Sequence, residues 1–328
     1  MKKVLFIGGT GIISSACSRL ALERGIDLYH LNRGQSQSVR EVKGVKQIVA
    51  DIRDPEAARV ALEGHQWDSV VDWISFVPEH LQVCLDLFRG KTGQFVFISS
   101  ASAYQTPPLR QPVTEDTPLD NPFWEYSRNK IACERFLEKA YADEDFPYTV
   151  VRPSHTYDKT LLIGEGGYTA LKRVLDGKPC IVHGDGTSLW TITNHRDFAK
   201  GLVGLLAHPD AIAQAYHITS DEWLPWNQIW TMTAKAFGVD DIKLLHVPSD
   251  IMARYDADMG ASLLGDKTHS MIFDNSKIKA LVPDFKCTIP FSEGVLEIAE
   301  FYKTHPERCK EDSRMAAVLD RIEKDWTR

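Results

Sequence analysis

Val4-Leu5-Phe6-Ile7-Gly8-Gly9-Thr10-Gly11-Ile12-Ile13-Ser14 stands almost at the start of the chain and decides how the rest is read. The four apolar residues read as a strand buried on both faces, and a helical pattern over 14–24 follows the glycines. Glycines after a buried strand let the backbone turn tightly and approach a bound phosphate. The helix start then offers unpaired N–H groups and the positive end of its dipole. A small-residue turn between strand and helix is common and says little alone. At the head of a strand–helix series it reads as a dinucleotide-binding loop. Ser14 stands where a third glycine is usual, so strand and helix must pack around a hydroxymethyl group.

The series continues outward from that loop. Residues 28–31, 47–49, 70–74, 95–98 and 148–151 read as further strands buried on both faces, and 55–62, 80–88 and 125–141 have helical spacing. Such alternation predicts an α/β fold, a doubly wound parallel sheet of the Rossmann type with helices on both faces. Residues 107–122 hold five prolines and read as a long loop crossing the front of the sheet. Beyond about residue 160 the pattern loosens around 164–167, 184–186 and 223–226, with helices expected over 197–206 and 227–237. The expected division is a dinucleotide-binding domain from 1–158 with about 190–220. A smaller mixed α/β substrate-binding domain would take about 159–189 and 221–328. Ligand should sit in the cleft between them.

Composition narrows the class. The chain has 328 residues, 43% hydrophobic and 25% charged, which excludes a disordered chain, a coiled coil and a collagen-like repeat. A formal charge of −7 weighs against broad nucleic-acid binding, which draws its affinity from Lys and Arg on phosphates. Cysteines 17, 84, 133, 180, 287 and 309 are scattered, without a Cys-x-x-Cys or neighbouring histidines. They form neither a disulfide framework nor a zinc site; no metal is expected, and a reducing cytosol fits. The first apolar run stops at Gly8, too short for the core of a signal peptide, and no stretch is long enough to span a bilayer. A cytoplasmic, soluble protein is expected, with no membrane partner and with homodimerisation left open.

The second strand ends in Leu31-Asn32-Arg33-Gly34. An acidic residue there usually accepts from the ribose hydroxyls of NAD. Asn32 removes the charge that repels a 2′-phosphate and Arg33 supplies one that attracts it, so NADP is favoured over NAD. The alternative is that Arg33 is a solvated loop charge. Asp51-Ile52 follows the third strand, where the carboxylate can meet an adenine amino group or cap the next helix.

Tyr126-Ser127-Arg128-Asn129-Lys130 puts Tyr and Lys four apart on one helical face. Spacing alone proves little, since Tyr168 and Lys172 match it as well. Context separates the two pairs: Tyr126 follows Ser100, which closes a buried strand on the cofactor side, whereas Tyr168 has no such partner.

At this point the chain resembles the extended short-chain dehydrogenase/reductase family, of the NAD(P)-dependent epimerase/dehydratase type. The resemblance covers nearly the whole chain. It rests on the 8–14 loop, Asp51-Ile52, Ser99-Ser100-Ala101-Ser102-Ala103-Tyr104, Tyr126 with Lys130, Arg152-Pro153, and Gly184-Asp185-Gly186 followed by Asp197. It implies a catalytic Ser100–Tyr126–Lys130 set. Cofactor contacts are expected from Gly8, Thr10, Gly11, Ile12, Ile13, Asn32, Arg33, Asp51, Ile52, Ser99, Tyr126, Lys130 and Pro153. Substrate contacts are expected from Ser100, Ser102, His155 and Trp190. A free tyrosine titrates near 10, too high for a base at neutral pH, so Lys130 and a positive nicotinamide are expected to lower it. Tyr126 then moves a proton at the substrate oxygen while Ser100 holds that oxygen.

Three positions depart from the family. Sugar dehydratases carry Asp-Glu after the site serine or threonine where this chain has Ala101-Ser102, which argues against dehydration. Nucleotide-sugar epimerases carry Asn at His155 and usually an Arg for the substrate diphosphate near Trp190. His155 is either a loop histidine or a substrate contact, and Trp190 either packs or touches substrate. Trp223, Trp226 and Trp230 are expected to pack the smaller domain. The expected activity is oxidoreduction at a secondary alcohol or ketone of a small sugar-like molecule, with epimerisation ahead of simple reduction or dehydrogenation. The rival class is a non-catalytic RNA-binding protein like the chloroplast stem-loop-binding relatives on this fold.

Overall fold

The computed structural model describes residues 1–34 and 40–327. Its central sheet has seven parallel strands, β1 (Lys3–Ile7), β2 (Asp27–Asn32), β3 (Lys46–Val49), β4 (Ser69–Asp72), β5 (Phe95–Ile98), β6 (Tyr148–Pro153) and β7 (Gln214–Ile218). Their spatial order is β7-β6-β5-β4-β1-β2-β3. The order reverses between β1 and β4, and a cleft outside the strand C-termini belongs at that switch point.

Helices α1 (Ile12–Glu23), α2 (Pro55–Ala61), α3 (Pro78–Phe88), α4 (Glu125–Glu144) and α6 (His195–Leu205) flank the sheet, and α5 (Gly167–Leu175) lies outside it. Alternation along β1 sorts its side chains. Val4 and Phe6 join Ala16 and Cys17 of α1 and Phe198 and Leu202 of α6 in one core. Leu5 and Ile7 face Leu85 of α3 and Leu137 of α4 in the other. Each fully buried side chain of this size contributes about 1.5–3 kcal/mol relative to exposure. Both faces are covered, so β1 reads as an unbroken apolar run.

A further core joins Leu171 and Val174 of α5 to Ile229, Trp230, Phe291, Ile298, Leu319 and Ile322. It is built from helices Trp226–Ala236, Phe291–Thr304 and Ser313–Trp326 beside the parallel pair Cys180–His183 and Leu244–Val247. Among the described residues no helix is long and apolar enough to cross a membrane.

Four expectations are corrected here. β3 is an edge strand rather than doubly buried, with Val49 67% exposed. β7, not anticipated, extends the sheet beyond β6. Residues 221–328 do not stay together, because Ile278, Val282 and Phe285 pack on the sheet. Gly204 of α6 admits them, since a Cβ there would lie 2.3 Å from Val282 Cγ1. Trp226 and Trp230 are buried as expected, but Trp223 is exposed. The proline-rich segment is a loop tied across the strand ends by bridges from Tyr104 to Leu119 and from Val113 to Phe273.

Three histidines are held neutral by burial, His30 and His183 at about 4 and His155 at about 3. Their folded values lie below the ordinary 6.5, so the unfolded chain binds more protons and stability is lost as pH falls from about 6.5 toward about 4. Denaturant unfolding followed from about pH 7.5 to 5 should show that loss. His30→Gln should flatten it by up to one proton, about 1.4 kcal/mol per pH unit. An unchanged slope would mean that His30 is already charged in the fold.

Candidate active site

The glycine loop is shaped by what a Cβ would strike. Gly8 has φ +87°, and a Cβ there would lie 2.5 Å from Ile74 Cγ2. At Gly9 it would lie 2.3 Å from His30 Nε2, which itself bonds Ser18 Oγ at 2.7 Å. Gly11 begins α1 with no side-chain cap, and the first-turn amides of Ile12 and Ile13 have no earlier helical carbonyl to reach. Ser14 fits because its hydroxyl closes the turn, accepting from Gly11 N at 2.7 Å and donating to Gly8 O at 3.2 Å. With Thr10 in the same turn, this is a cradle of the kind that receives a dinucleotide pyrophosphate.

At the far end of that cradle Arg33 is exposed after β2, and Asn32 Nδ2 reaches Gln47 Oε1 at 3.4 Å. Asp51 accepts from Arg53 N at 2.9 Å, while Asp54, not Asp51, caps α2 through Ala57 N. Ile52 is buried in the core below.

The other end lies over β4, β5 and β6. Asn121 Oδ1 accepts from Phe123 N and Trp124 N, both at 3.2 Å, and so fixes where α4 begins. Tyr126 and Lys130 then lie on one face of the helix. Lys130 is buried, and its ammonium donates to Ser75 O and Ile98 O, both at 2.8 Å. It lies 4.7 Å from the Phe76 ring, 4.8 Å from Phe97 and 5.7 Å from Tyr126. Burial pulls Lys130 down to about 8. An ammonium has three N–H groups, so one remains for the cleft.

Burial pushes Tyr126 up to about 12, a hydrogen bond with Ser100 opposes this, and the nearby Asp266 carboxylate adds to it. The expected lowering of Tyr126 is outweighed here by burial. Ser100 belongs to a hydroxyl chain. Ser127 Oγ donates to Ser102 Oγ at 2.8 Å, Ser102 and Ser100 share a bond of 2.9 Å, and Ser102 N donates to Ser100 Oγ at 3.2 Å. Ser99 turns the other way and donates to Glu134, which is buried against Arg152 at 2.6 Å.

These groups line a cleft of about 300 Å³. Ile13, Ser99, Ser100, Ser102, Tyr126, Lys130, Pro153, His155 and Trp190 all reach it, whereas Gly8, Thr10, Gly11, Ile12, Asn32, Arg33, Asp51 and Ile52 do not. His155 Nε2 and Trp190 Nε1 are buried without a hydrogen-bond partner. Trp190 also packs on Trp226, with ring centroids 5.5 Å apart, so packing and lining are both its work. The rival pair is elsewhere: Tyr168 stacks on Tyr302 at 5.8 Å and Lys172 pairs with Asp176 at 2.5 Å.

Sequence reasoning missed Trp73, Phe76, Trp124, Asp266, Met271 and Phe273, which line the same cleft. No spacing signal marks them, since they come from strand exits and from the 265–273 stretch. Among the described residues no three His, Cys, Asp or Glu side chains are grouped as a metal site.

Comparison with known proteins agrees with this geometry. A 2′-dehydrokanamycin reductase of Streptomyces kanamyceticus is 25% identical over 289 residues, 87% of this chain and 80% of that protein. The chloroplast stem-loop binding protein of 41 kDa b of Arabidopsis thaliana is 22% identical over 262 residues, 75% of this chain and 66% of that protein. The structure of a UDP-glucuronic acid 4-epimerase from Bacillus cereus, in complex with UDP-glucuronic acid and NAD, superposes with TM-score 0.72 at 19% identity, covering 92% of this chain and 99% of that one. Residues 4–219 match the NAD dependent epimerase/dehydratase family, and the chain belongs to it.

Proposed function

We propose that this enzyme transfers hydride at a secondary alcohol or ketone of a small sugar derivative, with net reduction or dehydrogenation as its reaction. The observation that carries the reading is the convergence of Ser100, Tyr126 and Lys130 on one cleft beside the glycine cradle. A bound nicotinamide supplies the hydride donor or acceptor. The 8–14 loop and the free Lys130 N–H are the groups that would hold it, and the cradle's close approaches fit that role. Tyr126 gives or takes the proton at the substrate oxygen, and Ser100 hydrogen-bonds the same oxygen. Asn32 and Arg33 favour NADP over NAD.

Epimerisation is the second reading. It uses the same residues but must show both faces of the substrate carbon to one hydride, which calls for an anchor away from the reacting ring. Among the described residues no arginine lines the cleft to hold a diphosphate, and a relative of matching extent is named a reductase. An RNA-binding role has the net charge of −7 and the assembled Ser–Tyr–Lys set against it.

Tyr126→Phe should lower kcat by about 10²–10⁴-fold while cofactor binding persists, with Tyr168→Phe as the active control. Turnover within about tenfold of the unaltered protein would remove Tyr126 from the reaction. Fluorescence titration should show NADPH binding more tightly than NADH, and Arg33→Ala should weaken NADPH alone, by about tenfold. A preference for NADH reduces Arg33 to a surface charge. Calorimetry with uridine diphosphate on cofactor-loaded protein should show no saturation below about 1 mM. Micromolar binding, about −8 kcal/mol, would put epimerisation of a nucleotide sugar first.

A further inference from the structure

Asp266 lines the same cleft as Ser100 and Tyr126, and the hydride-transfer reading gives it no task. It sits on a π-helical turn, Leu263–Lys267, a feature often found at functional sites. The turn is pinned on both sides of the aspartate. Asn121 Nδ2 donates to Gly265 O at 2.6 Å and to Ser102 O at 2.7 Å, which joins the turn to the serine chain. Only glycine fits at 265, where a Cβ would lie 2.7 Å from Trp124 Cβ. Beyond the aspartate, Lys267 O bonds His183 Nε2 and Ser188 Oγ, both at 3.1 Å.

Charge decides what such a carboxylate faces. The buried Lys267 ammonium lies 3.1 Å from Glu165 and 3.8 Å from Asp266, so two carboxylates surround one cation. The ammonium also donates to Ser262 Oγ at 2.5 Å, and the rings of Trp124 and Trp190 lie 5.8 and 5.9 Å from it. Lys130 gives two of its N–H groups to the carbonyls below and keeps one for the Tyr126 end of the cleft, and burial keeps His155 neutral. Among the described residues no arginine lines the cleft. At the Asp266 end, between tryptophan faces, the carboxylates therefore outnumber the cations by one. This environment repels a phosphate and attracts a cation, by charge pairing and by cation–π contact. Desolvation raises Asp266 to about 6, so at neutral pH most of it is ionised.

Resting on the reading of this cleft as a sugar-alcohol site, we propose that Asp266 selects the substrate by pairing with a protonated amine, which makes the substrate an amino sugar. A neutral sugar leaves the half-buried carboxylate with only a distant share of Lys267, which lies nearer Glu165, and a phosphorylated one meets repulsion.

The test is equilibrium binding to the cofactor-loaded chain, with glucosamine, galactosamine and mannosamine set against glucose, galactose and mannose. At least one amino sugar should bind about tenfold more tightly than its hydroxylated parent. Asp266→Asn should bring that ratio within about twofold, and Asp266→Glu should restore part of it. An unaltered protein that binds no amino sugar better than its parent would overturn the proposal, as would an Asn variant that keeps the preference. Cofactor titration of each variant shows that it is folded. Should Asp266→Asn fail to fold, the preference in the unaltered chain must still fall as salt is raised, and a salt-independent preference counts against the proposal. Turnover plays no part in this readout, so loss of the hydride-transfer reading through Tyr126→Phe and loss of the amine preference are separate results.

Discussion

A single buried ammonium holds the site together. Lys130 rises from α4 to a point beneath the exits of β4 and β5 and bonds one carbonyl from each, Ser75 O and Ile98 O. An ionised group in such a place is tolerated only when its hydrogen bonds are met. Two carbonyls and the faces of Phe76, Phe97 and Tyr126 meet that demand. The two strand exits are thus set by one charge. Ser99 and Ser100 follow Ile98 directly, so the register of the serines against Tyr126 depends on the same contact.

A second polar layer lies behind the first. Glu134, one helical turn beyond Lys130, takes both Arg152 from β6 and Ser99 from the end of β5. Arg152 also lies 4.8 Å from the ring of Tyr104, whose hydroxyl bonds His217 of β7 at 3.0 Å. A buried ion pair adds little net stability, but breaking it leaves an uncompensated charge, so it discriminates strongly against other arrangements. Ser99 was expected at the cofactor. The residue does line the cleft, while its hydroxyl connects this layer to the strand end.

Strands covered on both faces were legible because burial writes itself as continuous apolar residues, as in Val4–Ile7 and Phe95–Ile98. β7 escaped notice for the opposite reason. Its His217 is buried, but Tyr104 and Asp274 O satisfy the ring, so the strand never reads as apolar. The helix Ser313–Trp326 has Met315, Val318, Leu319 and Ile322 at helical spacing and was open to the same reading as α1. Among site residues, Ser100, Tyr126 and Lys130 were visible because helix geometry and a strand end relate them locally. Asp266 was not. It reaches the cleft through a π-turn whose position depends on Asn121 and Trp124, and no periodicity connects the two stretches.

Asn121 gives this fold an unusual division of labour. Its side chain starts α4, holds the backbone of Ser102 and holds the turn that carries Asp266. The residues proposed to move the proton and the turn proposed to meet the rest of the substrate therefore share one fastener, while their side chains remain independent. A lineage could exchange the residue at 266 and explore new substrates without disturbing Ser100 or Tyr126. The same lineage could hardly exchange Asn121, since drift there would unseat both parts together.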